Sequence, residues 1–145
     1  MRNTLEVTKG NTKKIGALLW TLQVLLAALF LFAGAMKLIL PLEALVAQSS
    51  LPGWFLLFIG VAEVLGGLGL ILPGLTKIQP QLTSLAASGL LIIMFGATAL
   101  SIADGQGSAA GIPLVVGILL AFVAYGRLEL APHRRRSSAL TPATI

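Results

Sequence analysis

Inside or beside the apolar stretches of this chain, five residues could take part in chemistry: Lys37, Glu63, Thr98, Asp104 and Tyr125. Glu63 poses the sharpest question, because it sits at the midpoint of the run 54–72 (WFLLFIGVAEVLGGLGLIL), which otherwise reads as hydrocarbon-soluble. An ionised carboxylate there costs on the order of 3 kcal/mol on insertion scales, so it needs a partner. The residue types leave three readings open. Glu63 is a structural group satisfied by a buried ion pair or by a hydroxyl such as that of Thr98. Alternatively it holds a ligand, proton or substrate, or it is a neutral, protonated acid. Lys37 is the nearest cation in sequence terms, but it lies only a few residues from Pro41 and can also snorkel to the headgroups. Asp104 belongs to a Gly-Gln-Gly-Ser loop, where it caps a helix or closes the mouth of a polar cavity.

Other chemistry is excluded by what the chain lacks. With no cysteine, it has no disulfide, thiolate metal site or thiol redox centre of its own. Its one histidine, His133, lies in a basic tail, so neither a pair of intramembrane haem ligands nor a zinc cluster can form. Ser84, Ser88 and Ser101 have no intramembrane histidine to activate them. The stretch from Gly105 to Ala110 fits a dinucleotide-loop pattern on paper, but it follows a hydrophobic helix and not a strand. No catalytic residue and no metal ligand is assigned, and the chain is not expected to be an enzyme by itself.

The elements that must position the five residues are membrane helices. Of the 145 residues 57% are hydrophobic and 10% charged, against about 25% charged in soluble domains. The expected fold is all-α, a polytopic bundle of four transmembrane helices with spans at about 15–40, 54–72, 82–103 and 110–126. Residues 1–14 form a basic segment, and 127–145 a basic, disordered tail. Lys13, Lys14 and Ala33-Gly34-Ala35 around an apolar stretch mimic a cleaved signal, but the stretch 15–32 is longer than the usual apolar core of such a signal. Lys77 and Arg127 fall on the same side as both termini, while the other two loops carry Glu43 and Asp104. The positive-inside rule then places both termini in the cytoplasm of a cell (inner) membrane. The net charge of +5 flanks apolar spans without interleaved aromatics, which points to an anionic lipid surface as the partner and not to nucleic acid.

Positions three, four and seven apart share a helix face. Gly60, Glu63, Gly67 and Gly74 form one stripe, and Ala27, Phe30, Ala33, Gly34 and Lys37 another. Gly89, Ile93, Gly96 and Ala97 line up in the third span, and Pro113, Gly117 and Ala121 in the fourth. Small residues let membrane helices approach closely, so Gly34, Gly60, Gly67, Gly96 and Gly117 are expected to pack against neighbouring helices. These stripes turn Glu63 into the bundle. A depth count puts its backbone about 9 Å from that of Lys37 along the membrane normal, a gap two long side chains can close.

The segments FAGAMKL (32–38) and GVAEVLGGLGL (60–70), together with the loop LPGW (51–54) and the weaker stretch 86–99, resemble the DoxX-like family of small four-helix membrane proteins. The resemblance covers about 22–126 and carries over two polar positions, Lys37 and Glu63. It implies an accessory or ligand-binding subunit of a membrane complex. Members are linked to a thiosulfate:quinone oxidoreductase subunit and to membrane redox complexes, while most have no defined activity. A quinone-reactive subunit is the enzymatic alternative, with Glu63, Thr98 and Tyr125 as polar groups of a hydrophobic slot. A small transporter is a third reading, and it would require a homo-oligomer. No cofactor is assigned; quinone or lipid is a candidate ligand, and a membrane redox protein or a second copy of the chain a candidate partner.

Overall fold

The computed structural model describes residues 2–76 and 81–130 of the chain. Within them lie five α-helices: α1 (Arg2–Ile39), α2 (Leu42–Val46), α3 (Gly53–Thr76), α4 (Gln81–Ala103) and α5 (Gly111–Tyr125). A π-helical turn, Gly126–Leu130, continues α5. Four of these segments are long and apolar enough to cross a membrane: Lys9–Ile39, Gly53–Thr76, Gln81–Ala103 and Gly111–Glu129. The protein is a multi-pass membrane bundle with no strand among the described residues.

Three boundaries differ from those expected. The basic segment 1–14 is not a separate unit: helix runs from Arg2 straight into the first span. No proline interrupts it, and at 1.5 Å per residue α1 is roughly 57 Å long, so its first turns extend beyond an apolar layer of about 30 Å. The second span does not stop at Pro73-Gly74 but continues to Thr76 with Pro73 buried inside the helix. Membrane helices tolerate such a proline because neighbouring groups satisfy the freed backbone. Finally, Arg127 is not part of a disordered tail; the π turn keeps it on the helix, where it is buried. The connection at 77–80 and the tail from 131, with His133 and Arg134 to Arg136, lie outside the described residues.

Packing divides the bundle into two pairs, α1 with α3 and α4 with α5, joined along α3 and α4. Lipid tails are as apolar as leucine, so packing and hydrogen bonding must hold the helices together instead of water exclusion. The α1–α3 contact is a backbone approach. A Cβ placed on Gly34 would lie 2.7 Å from the Gly60 carbonyl oxygen, and one on Gly67 3.2 Å from that of Ala27. Leu26, Phe30, Leu70, Leu90, Leu120 and Val123 fill the centre. The outer surface is equally apolar: Phe32, Trp54, Phe58, Ile92, Phe95 and Ile112 are all exposed, as a hydrocarbon solvent requires.

The last two spans do not present the expected stripes. In α4 the buried face is Thr83, Ser84, Ala87, Leu90 and Met94, while Gly89 and Gly96 are exposed, with nothing within 4 Å of a Cβ on either. Gly96 is therefore not a packing glycine. In α5 Gly117 is buried and an added Cβ would meet Met94 at 3.5 Å, an ordinary contact, but Ala121 faces outward.

The α1–α3 approach yields the first test. Gly34→Val should destabilise the bundle by about 1–3 kcal/mol in detergent unfolding, because a backbone carbonyl cannot step aside. Gly96→Val should cost little, and equal losses at the two positions would refute this assignment.

Candidate functional site

Lys37 and Glu63 meet. Lys37 Nζ donates to Glu63 Oε2 at 2.8 Å, with the carboxylate side chain 4% and the lysine side chain 28% exposed. The close α1–α3 approach makes the pairing possible. Lys37 Cβ lies 3.0 Å from where a Cβ on Gly60 would sit, so Lys37 is level with Gly60, one turn above Glu63. The backbone offset is then roughly 4.5 Å, less than the sequence-based depth count suggests.

The pair forms part of the wall of a cavity of about 840 Å³. Its deep walls are apolar and include Phe30, Ile59, Met94 and Val116; Gln48, Ser49, Ser101, Asp104 and Gln106 ring the end near α2. The mouth is held by a contact between loops. Ser50 Oγ donates to the Asp104 carboxylate, 3.1 Å from each oxygen. Asp104 is placed there by the way α4 ends. Gly105 takes φ +73°, and Gln106 N–H reaches back to the Ser101 carbonyl at 2.8 Å, a glycine-based helix stop. The Gly-Gln-Gly sequence is thus a turn device.

Two of the five candidates stand apart. Thr98 Oγ1 donates to the Met94 carbonyl of its own helix at 2.8 Å and does not line the cavity. Tyr125 is exposed at the far end of α5, away from Glu63. The cavity therefore gathers Lys37, Glu63 and Asp104, with Gly96 on its wall, and leaves Thr98 and Tyr125 out. No group of three or more His, Cys, Asp or Glu side chains lies together among the described residues.

A second polar cluster closes the opposite end of the bundle, and sequence reasoning missed it. Arg127 Nε donates to Gln23 Oε1 at 2.6 Å, and Gln23 Nε2 donates to the Leu70 carbonyl at 2.6 Å. The Arg127 guanidinium also lies 5.8 Å from the Trp20 ring centroid. Its Nη2 is buried with no hydrogen-bond partner among the described residues. This chain of bonds ties α5 to α1 and α1 to α3, beside the gap Pro73 leaves in the α3 ladder. The signal that could have found it was Gln23: Thr21 beside it satisfies its hydroxyl on its own helix at the Ala17 carbonyl, but a glutamine amide inside the apolar first run needs a partner at its own depth.

The profile of the DoxX-like family matches residues 21–123, most of the chain. The chain belongs to the DoxX-like family. No curated protein and no solved structure matches it. The matched span takes in both the Lys37–Glu63 pair and the cavity in this DoxX-like bundle, but stops short of Arg127.

The pair predicts non-additive energetics. Lys37→Met strands a buried carboxylate and should cost about 2–3 kcal/mol, less than a fully enclosed pair would because the lysine is partly exposed. Adding Glu63→Gln should recover much of that loss, a coupling of about 1–3 kcal/mol in a double-mutant cycle of detergent melts. Additive losses would mean the two groups do not interact energetically.

Proposed function

We propose that this protein is a binding subunit of the membrane, holding a lipophilic ligand in the cavity beside Lys37 and Glu63. The cavity carries the reading: it lies within the usual size range of ligand sites, and its few polar groups converge on one end of an apolar pocket. Both termini are assigned to the cytoplasm of a cell inner membrane, by the positive-inside rule, which sets Lys37, Asp104 and the cavity mouth on the outer side. The protein acts as an accessory component of a larger, redox-linked membrane complex, in line with the family it belongs to.

Two rival readings receive less support. A quinone-reactive slot built from Glu63, Thr98 and Tyr125 would need polar groups that lie apart here. A transport path would have to pass the closed end, where Arg127, Gln23 and the Leu70 carbonyl are bonded together.

Gly96 supplies the test, since it lines the cavity and a Cβ added there meets nothing within 4 Å. Organic extracts of the purified protein, analysed by mass spectrometry, should contain a lipophilic molecule near one per chain. Gly96→Phe should deplete it at least severalfold with little change in melting temperature. An extract holding only bulk lipid, identical for both proteins, would overturn the reading.

A further inference from the structure

The cavity is not sealed on its side. Phe58 of α3 and Ile92 of α4, both on its wall, are 63% and 73% exposed, so the cavity wall reaches the lipid-facing surface at these two helices. Phe58, Ala62 and Ile93 also form the head of a second concavity of about 660 Å³, lined by α3 and α4 alone. It continues along the two helices to Leu72 and Leu82, near the opposite end of the bundle. From Phe58 to Leu72 the groove runs roughly 21 Å, about two-thirds of an apolar layer of some 30 Å. Its walls carry only apolar side chains; Gly89 borders open space, while Gly66 and Gly69 mark where α3 closes on Leu90 and Ala86 of α4.

The polar end has a charge preference. Lys37 and Glu63 neutralise each other, and Asp104 leaves the lining one negative charge in excess. The Lys37 ammonium has three donors and spends one on Glu63, whose Oε1 accepts no bond among the described residues. Donors and an acceptor therefore stand side by side, which suits a hydroxyl-bearing head; an anionic head would meet Asp104 and Glu63 unfavourably.

From this continuity we propose, building on the cavity's role as a ligand site, that the ligand is a long-chain amphipath with an uncharged, hydroxyl-bearing head. The head lodges against Lys37 and Glu63. The chain leaves between Phe58 and Ile92 and lies in the α3–α4 groove. The groove thus extends the site and selects for chain length.

The full chain in mild detergent, titrated by native mass spectrometry with monooctanoylglycerol, monooleoylglycerol and oleate, tests this. Monooleoylglycerol should bind about tenfold more tightly than either competitor, a difference of about 1.4 kcal/mol. Gly89→Phe puts a ring on the groove wall, at a position where a Cβ meets nothing within 4 Å. It should bring the ratio of the two monoglyceride affinities close to one, with an unchanged melting temperature. Equal affinity for both chain lengths, a preference that survives Gly89→Phe, or oleate binding as tightly as monooleoylglycerol would each overturn the proposal. The first two would mean the groove holds only bulk lipid, leaving the cavity reading intact. If neither monoglyceride binds, or Gly96→Phe leaves their binding untouched, the cavity reading falls and this proposal with it.

Discussion

A carboxylate in the middle of a membrane span stays ionised only if a cation is brought to it, and bringing a lysine from another helix demands that the two backbones nearly touch. The chain meets this demand with glycine. Gly34 and Gly60 face each other so closely that a Cβ on Gly34 would collide with the other helix and one on Gly60 would be crowded by it, and this contact sets Lys37 beside the turn above Glu63. The glycines and the ion pair depend on one another. Without the close approach the lysine could not reach, and without the pair the buried acid would oppose insertion of α3. The rest of the bundle is arranged around this α1–α3 unit, with α4 and α5 packed beside it.

That arrangement makes the two ends of the molecule different. At the far end, Arg127, Gln23 and the Leu70 carbonyl bind three helices together, and Leu19 packs against Gly126. Near α2 the helices part around the cavity, and the Ser50–Asp104 contact spans the loops. Polar bonds fasten both ends because hydrocarbon offers apolar surfaces no incentive to associate. One of those fastenings is incomplete among the described residues: Arg127 Nη2 is buried there without a hydrogen-bond partner.

Polar residues made the site legible in the sequence, and apolar ones concealed the rest. The scarcity of charge and the length of the runs suffice for four spans and an all-α bundle. Lys37 and Glu63 can be located because each carries a demand for a partner that few residues could meet. The face of α4 was not legible. In a membrane bundle the core and the lipid-facing surface are both apolar, so helical periodicity loses its inside–outside contrast and glycine becomes the only marker. Gly34, Gly60 and Gly67 do lie at contacts, whereas Gly89 and Gly96 border open concavities. The same small side chain serves close packing in one helix and vacant space in another. Pro73 misled in a related way, since a stop signal in water is a tolerated interruption in lipid. Arg127 reads as a flanking charge because nothing in its neighbours' types shows that the helix carries on past Tyr125.

The lateral opening explains how so small a bundle can hold so large a cavity. In a water-soluble core, 840 Å³ of unfilled apolar space would cost about 20 kcal/mol at the usual penalty per unit volume, more than most domains have to spare. A gap open to hydrocarbon does not incur that penalty, because acyl chains reach its walls and restore their dispersion contacts. The opening between Phe58 and Ile92 is in this sense a condition for the cavity's existence. It also explains why the walls of the site need not be tightly packed, while the glycine contact beneath Lys37 must be. The glycine-packed half of the molecule fixes the polar pair, and the half around the cavity leaves the space beside it.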